Sequence, residues 1–135
     1  MDADAVRSLA KATLDGSMPF PSIVGELLAQ GVEYYHVDYA ERSFTFYGAD
    51  GSTIEAPLQY EGLPAISAQW DAVALKAAIV DSQQHGQKFR QFCERAMRAG
   101  VQGYFAFLQG RRVTYLGRSG DHHVEWFPDS KPADA

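Results

Sequence analysis

The chain carries one pattern twice. Gly31-Val32 falls on Gly100-Val101, Tyr35 on Tyr104, Arg42 on Arg111, Thr45 on Thr114, Gly48 on Gly117 and Gly51 on Gly120. With one extra residue admitted after the second glycine, Ile54 falls on Val124 and Glu55 on Glu125. A fixed-period match of this kind marks a duplicated supersecondary unit. Two such units pack about a pseudo-twofold axis, and the groove between them is where function is expected.

Each half reads as two helices followed by three strands. Val6, Leu9, Ala10 and Leu14 form one helical stripe, broken by Asp15-Gly16-Ser17. A second helix starts at Pro19-Phe20-Pro21-Ser22, where proline suits a first turn, and ends at Gly31. In the second half Ser67 is the expected N-cap of a helix running to about Ser82, and residues 88–99 form a strongly amphipathic helix. Alternation predicts strands near 33–39 and 42–48, and turn signals with the repeated order place others near 52–57, 102–108, 111–117 and 122–127, with Asp50-Gly51 and Ser119-Gly120 in hairpin turns.

Strands joined by tight turns pair antiparallel, so the expected fold is α+β: a tandem duplication of a helix-helix-three-strand unit, its antiparallel sheet covered by helices on one face. A chain of 135 residues suits a single domain over 1–128, with repeats at about 5–57 and 67–128, a connector at 58–66 and a disordered tail at 129–135.

The covered face should be the one that stays apolar in both halves: Tyr35, Val37, Phe44, Phe46 and Ile54, with Tyr104, Ala106, Val113, Tyr115 and Val124. On the other face the halves part. The first carries Tyr34, His36, Asp38, Thr45, Tyr47 and Glu55. The second carries Gly103, Phe105, Phe107, Thr114, Leu116 and Glu125, with His123 and Phe127 on or near the same side. Soluble monomers rarely leave such an apolar patch open, so a cover is expected. It is either the chain itself (Tyr60, Leu63 and Ile66 of the connector, or an N-terminal helix) or a ligand or a second copy. Phe105, Phe107, Leu116, Phe127 and Tyr34 are the candidate ligand or interface residues.

Charge divides with the repeat. Residues 1–66 hold three basic and ten acidic side chains, and residues 67–135 hold nine and seven, so the halves carry −7 and +2. The total of −5 argues against general nucleic-acid binding, and the contrast between halves suits either drift on solvated faces or self-association. No apolar run is long enough for a membrane span and no secretory signal stands at Met1, so a cytoplasmic location is expected. The lone Cys93 agrees with a reducing compartment.

Chemistry-bearing motifs are sparse. His122 and His123 point to opposite faces of a strand, so a metal site would need His123 and Glu125 plus His36 or Asp38; no metal and no cofactor is assigned. Cys93 lies in an apolar stripe, which suits an inert thiol. The runner-up to a binding domain is a small enzyme or metal-binding protein using the first-half face, with His36, Asp38 and Tyr47 as weak catalytic candidates and Tyr34 and Glu55 beside them.

Tyr47-Gly-Ala-Asp-Gly-Ser-Thr-Ile54, Phe92-Cys93, Ala99-Gly-Val101 and Glu125-Trp-Phe-Pro128 resemble the YbcV-like bacterial family, some of whose members carry the label "phage envelope protein". The resemblance spans about residues 5–128. It implies a small α+β domain and supplies no catalytic residue. The expectation is a non-enzymatic soluble bacterial binding domain, with a ligand groove or homodimer surface between the repeats.

Overall fold

Asp2 and Asp71 start equivalent helices. The Asp2 carboxylate accepts from the Ala5 N–H at 3.0 Å and the Asp71 carboxylate from the Ala74 N–H at 2.9 Å, each satisfying a first-turn donor that has no partner within its helix. In this computed structural model, which describes residues 1–133, those helices are α1 (Ala3–Asp15) and α3 (Ala72–Gln84). They are followed by α2 (Phe20–Ala29) and α4 (Phe89–Arg98). The strands are β1 (Val32–Asp38), β2 (Ser43–Gly48) and β3 (Thr53–Pro57), then β4 (Val101–Phe107), β5 (Arg112–Gly117) and β6 (His122–Trp126). Every element of the second half begins and ends 69 positions after its counterpart, as Ala3 does to Ala72 and Pro57 to Trp126.

The predicted α+β duplication is therefore observed, and it reaches further than the sequence match. Both hairpin loops after β1 and β4 end on an arginine in the left-handed region, Arg42 at φ 58° and Arg111 at φ 56°. Ser67 is not the N-cap of the third helix. Its Oγ accepts from the Gln69 N–H in a local turn, and the helix waits for Asp71. The expected disordered tail begins inside the described residues, where Ser130 N–H donates to the Phe127 carbonyl and Arg111 donates to Ser130 Oγ at 3.2 Å. Residues 134 and 135 lie outside the described residues.

One register assignment is corrected. No extra residue separates the halves in the last hairpin. Gly48 N–H donates to the Ser52 carbonyl and Gly117 N–H to the Asp121 carbonyl, again 69 positions apart. The counterpart of Ile54 is thus His123, and that of Glu55 is Val124. Chemical likeness favours matching Glu55 with Glu125, but hairpin hydrogen bonds set register, and a one-residue slip turns every side chain to the opposite face.

The six strands form one antiparallel sheet in the order β3-β2-β1-β4-β5-β6. β1 and β4 meet at its centre, with Tyr34 opposite Phe107, His36 opposite Phe105 and Asp38 opposite Gly103. His36 and Phe105 are counterparts, so the pseudo-twofold axis passes between them. All four helices pack on one face. Their buried stripes, such as Phe92, Cys93, Ala96 and Met97 of α4, meet Tyr35, Val37, Phe44, Phe46, Tyr104, Val113 and Tyr115 of the sheet. The connector stays on that side too. Leu58 is buried, the Tyr60 hydroxyl donates to the Leu14 carbonyl at 2.5 Å, and Leu63 and Ile66 pack against the same core.

Candidate functional site

The register turns the uncovered face into a grid of three rows crossing six strands. Pairing across β3 to β6 gives a middle row of Glu55, Thr45, His36, Phe105, Thr114 and Val124. One flanking row is Thr53, Tyr47, Tyr34, Phe107, Arg112 and Trp126; the other is Pro57, Ser43, Asp38, Gly103, Leu116 and His122. The pseudo-twofold exchanges the flanking rows, and their chemistry differs. One is aromatic and the other is small and polar, with Leu116 its one large aliphatic side chain.

The aromatic row is a continuous ladder. Tyr47 stacks on Tyr34 with ring centres 4.4 Å apart and planes 9° from parallel. Tyr34 meets Phe107 at 5.8 Å, and beyond it the Arg112 guanidinium lies 4.2 Å over the Trp126 ring. A shallow cleft of about 480 Å³ opens along this row, bounded by Tyr34, Phe107, Arg112, Thr114 and Val124. The Tyr34, Tyr47, Phe105, Phe107 and Leu116 side chains are all partly exposed, and Val124 is 40 % exposed.

In the middle row His36 stacks on Phe105 at 4.3 Å, with planes 9° apart. Its Nε2 is buried and has no hydrogen-bond partner. Burial holds the imidazole pKa below its ordinary value, against a smaller opposite effect of Asp38. The ring can lie there because the next position on β4 is Gly103, where a Cβ would come 3.3 Å from Nε2 and 2.5 Å from the Val37 carbonyl oxygen.

The weak catalytic candidates are neighbours that do not assemble an acid–base pair. Asp38 Oδ1 accepts from the Ala40 and Glu41 N–H groups at 2.9 and 3.0 Å, so this carboxylate shapes the β1–β2 turn. Tyr47 spends its ring on Tyr34, and Glu55 lies two strands from His36.

Of the five residues expected to form an interface, Tyr34, Phe105, Phe107 and Leu116 share the open face. Phe127 does not join them. It follows Trp126, lies one position out of phase, and meets Phe20 of α2 edge-on at 5.4 Å. His123 and Glu125 also belong to the helix side. His123 Nε2 lies 2.9 Å from Glu125 Oε1, and Lys76 of α3 reaches that carboxylate at 2.8 Å. They therefore stand across the sheet from His36 and Asp38. Among the described residues no three His, Cys, Asp or Glu side chains are grouped to hold a metal. Cys93 is buried, and burial pushes its thiol up to about 12. Arg112, Trp126 and Val124 join the open face unforeseen. Counting both last hairpins at equal length would have found Trp126 and Val124.

The model of a family described as "Protein of unknown function (DUF1398)" matches residues 11–124. No curated protein matches the chain.

Proposed function

We propose, for a chain that belongs to the DUF1398 family of proteins of unknown function, that it is a binding domain whose working surface is the uncovered face of its sheet. One observation carries this reading. Four helices and the connector all pack on one face, and the opposite face keeps an aromatic ladder of Tyr47, Tyr34 and Phe107 with the Arg112–Trp126 pair beyond it. Soluble monomers rarely leave a contiguous patch of large apolar side chains open, and those that do use it as an interaction site.

The geometry favours a protein partner over a stacked planar ligand. Two rings must stand about 7 Å apart to admit a flat group between them at van der Waals contact. Tyr34 and Tyr47 stand 4.4 Å apart and leave no slot between them for a planar group. What the row offers outward is ring edges and hydroxyls, which suit packing against another side-chain surface. The net charge of −5 disfavours a phosphate-backbone ligand in the same way. The cleft along the row is shallow, which again suits a surface contact.

The YbcV-like resemblance and a bacterial, cytoplasmic setting belong to the same reading. The resemblance, and with it the bacterial setting, is supported by the Tyr47–Ile54 hairpin and the Ala99-Gly-Val101 helix end, and a reducing compartment by a single, buried cysteine. Among the described residues no helix is long and apolar enough to cross a membrane.

A photo-crosslinking amino acid at position 107, introduced into the chain in living cells, tests the surface. The expected result is one defined crosslinked species. The same group at Val73, 82 % exposed on α3, should give none. Equal yields from both positions would remove the assignment of the working surface.

A further inference from the structure

We infer that the occupant of the open face is a second copy of this chain, related by a twofold axis lying in the face along its middle row. This rests on the proposed role of that face and adds the partner and its placement. The basis is self-complementarity in size over β2, β1 and β4 and in hydrogen-bond donors and acceptors. The two flanking rows lie equally far from the middle row, one large and one small. Rotation about the middle row turns each copy's aromatic row onto the other copy's small row. Tyr47 then comes over the partner's Ser43, Tyr34 over the partner's Asp38, and Phe107 over the partner's Gly103.

The polar groups match as well. The hydroxyl donors of Tyr47 and Tyr34 stand in the aromatic row, and Arg112 of that row falls over the partner's Leu116. The one carboxylate of the inner four strands of the grid, Asp38, stands in the small row. Its Oδ1 takes both turn hydrogen bonds, leaving Oδ2 to accept from a Tyr34 hydroxyl across the interface. The alternative twofold, along the strands, would set aromatic row on aromatic row and small on small. It would prop the sheets apart along one side and leave a gap along the other, with the packing loss that voids bring.

The area suffices. Six strands about 4.8 Å apart crossed by three rows about 7 Å apart make a face of roughly 600 Å² in plan, and more over its side-chain relief. A standard stable interface buries about 800 Å² of accessible surface per partner. The axis sets Glu55 of the outermost strand β3 opposite its own copy at one end of the middle row. Sheets packed at about −30° diverge there, which separates the like charges.

The test uses the purified full chain at tens of micromolar. Native mass spectrometry and light scattering should give twice the 14.9 kDa chain mass. Thr45→Cys alone should link to itself through a short bis-maleimide, because the middle row lies on the axis, and the buried Cys93 should not react. Ser43→Trp, which fills the small row, should give a folded monomer by circular dichroism. A wild type that stays monomeric overturns the inference; if position 107 still captures a different protein in cells, the interaction surface itself survives. A dimer in which Thr45→Cys links only when Thr114→Cys is also present overturns the placement of the axis, whether or not Ser43→Trp folds.

Discussion

His36 and Phe105 stack 4.3 Å apart at the centre of the sheet, and they are the same position of the two repeats. The duplicated unit meets itself there, and one of its two copies of the position carries a base. The Nε2 atom is buried without a partner, and burial lowers the imidazole pKa from 6.5. The sign of the pH effect follows. Above pH 6.5 the ring is neutral in both folded and unfolded chains. Below it the unfolded chain takes up the proton more readily, so stability falls as the solution is acidified.

Replacing His36 with phenylalanine restores the symmetric ring pair and removes that proton. The melting temperature of the wild type should drop between pH 7.5 and pH 5.5 by more than that of His36→Phe. Thermal melts at the two pH values measure the difference. Parallel losses in both proteins would show that His36 does not contribute to the acid sensitivity.

Gly103 is the counterpart of Tyr34, and it is glycine for a steric reason. A Cβ there would stand 2.5 Å from the Val37 carbonyl oxygen of the paired strand, which is backbone and cannot swing away. Gly103→Ala should cost about 1–3 kcal/mol, as overpacking does. Gly25, in α2, has nothing within 4 Å of the same added atom. Gly25→Ala should stabilise by about 0.5–1 kcal/mol through helix propensity. Urea unfolding of the two variants beside the wild type checks both signs at once.

Asp38 offers a way to separate a structural from a chemical role. Its carboxylate closes the β1–β2 turn on two N–H groups. Asp38→Ala should lower stability by about 1–3 kcal/mol, the scale for hydrogen bonds to a charged acceptor. Asp38→Asn keeps one acceptor oxygen and should recover part of the loss. Denaturant midpoints give the ranking, and equal losses in both variants would contradict a turn-closing role.

How much of this was legible follows from which forces act locally. The helices, hairpins and the sides taken by Tyr34 to Tyr39 follow from period and turn chemistry, because β1 from Tyr34 onward and β2 obey strict alternation. Val124, His123 and Glu125 take the faces opposite to those expected, because β6 contains His-His-Val-Glu-Trp, which has no alternation to read. Its faces are set by hydrogen bonds in the hairpin, seen only once Gly117 and Asp121 are paired. The aromatic ladder was half legible. Tyr34, Tyr47 and Phe107 share a face by parity, but their common row depends on the β1–β4 register across the pseudo-axis, which no local pattern encodes.

Arg42 and Arg111 hold the same left-handed backbone in the two β-hairpins, at φ 58° and 56°. A side chain bearing Cβ pays roughly 1–2 kcal/mol in that region, and glycine pays no such steric cost. The backbone there is fixed from outside. The Arg42 carbonyl accepts from the Leu58 N–H and the Arg111 carbonyl from the Phe127 N–H, both at 2.9 Å, so the conformation persists whatever the side chain. Arg42→Gly should therefore raise stability by about 1 kcal/mol after the larger unfolded-state entropy of glycine is subtracted. Arg111→Gly should gain less, because it also loses the bond from Arg111 Nε to Ser130 Oγ. Denaturant midpoints of the two variants read the order directly, and a loss of stability in Arg42→Gly would show that the guanidinium contributes more than its backbone strain costs.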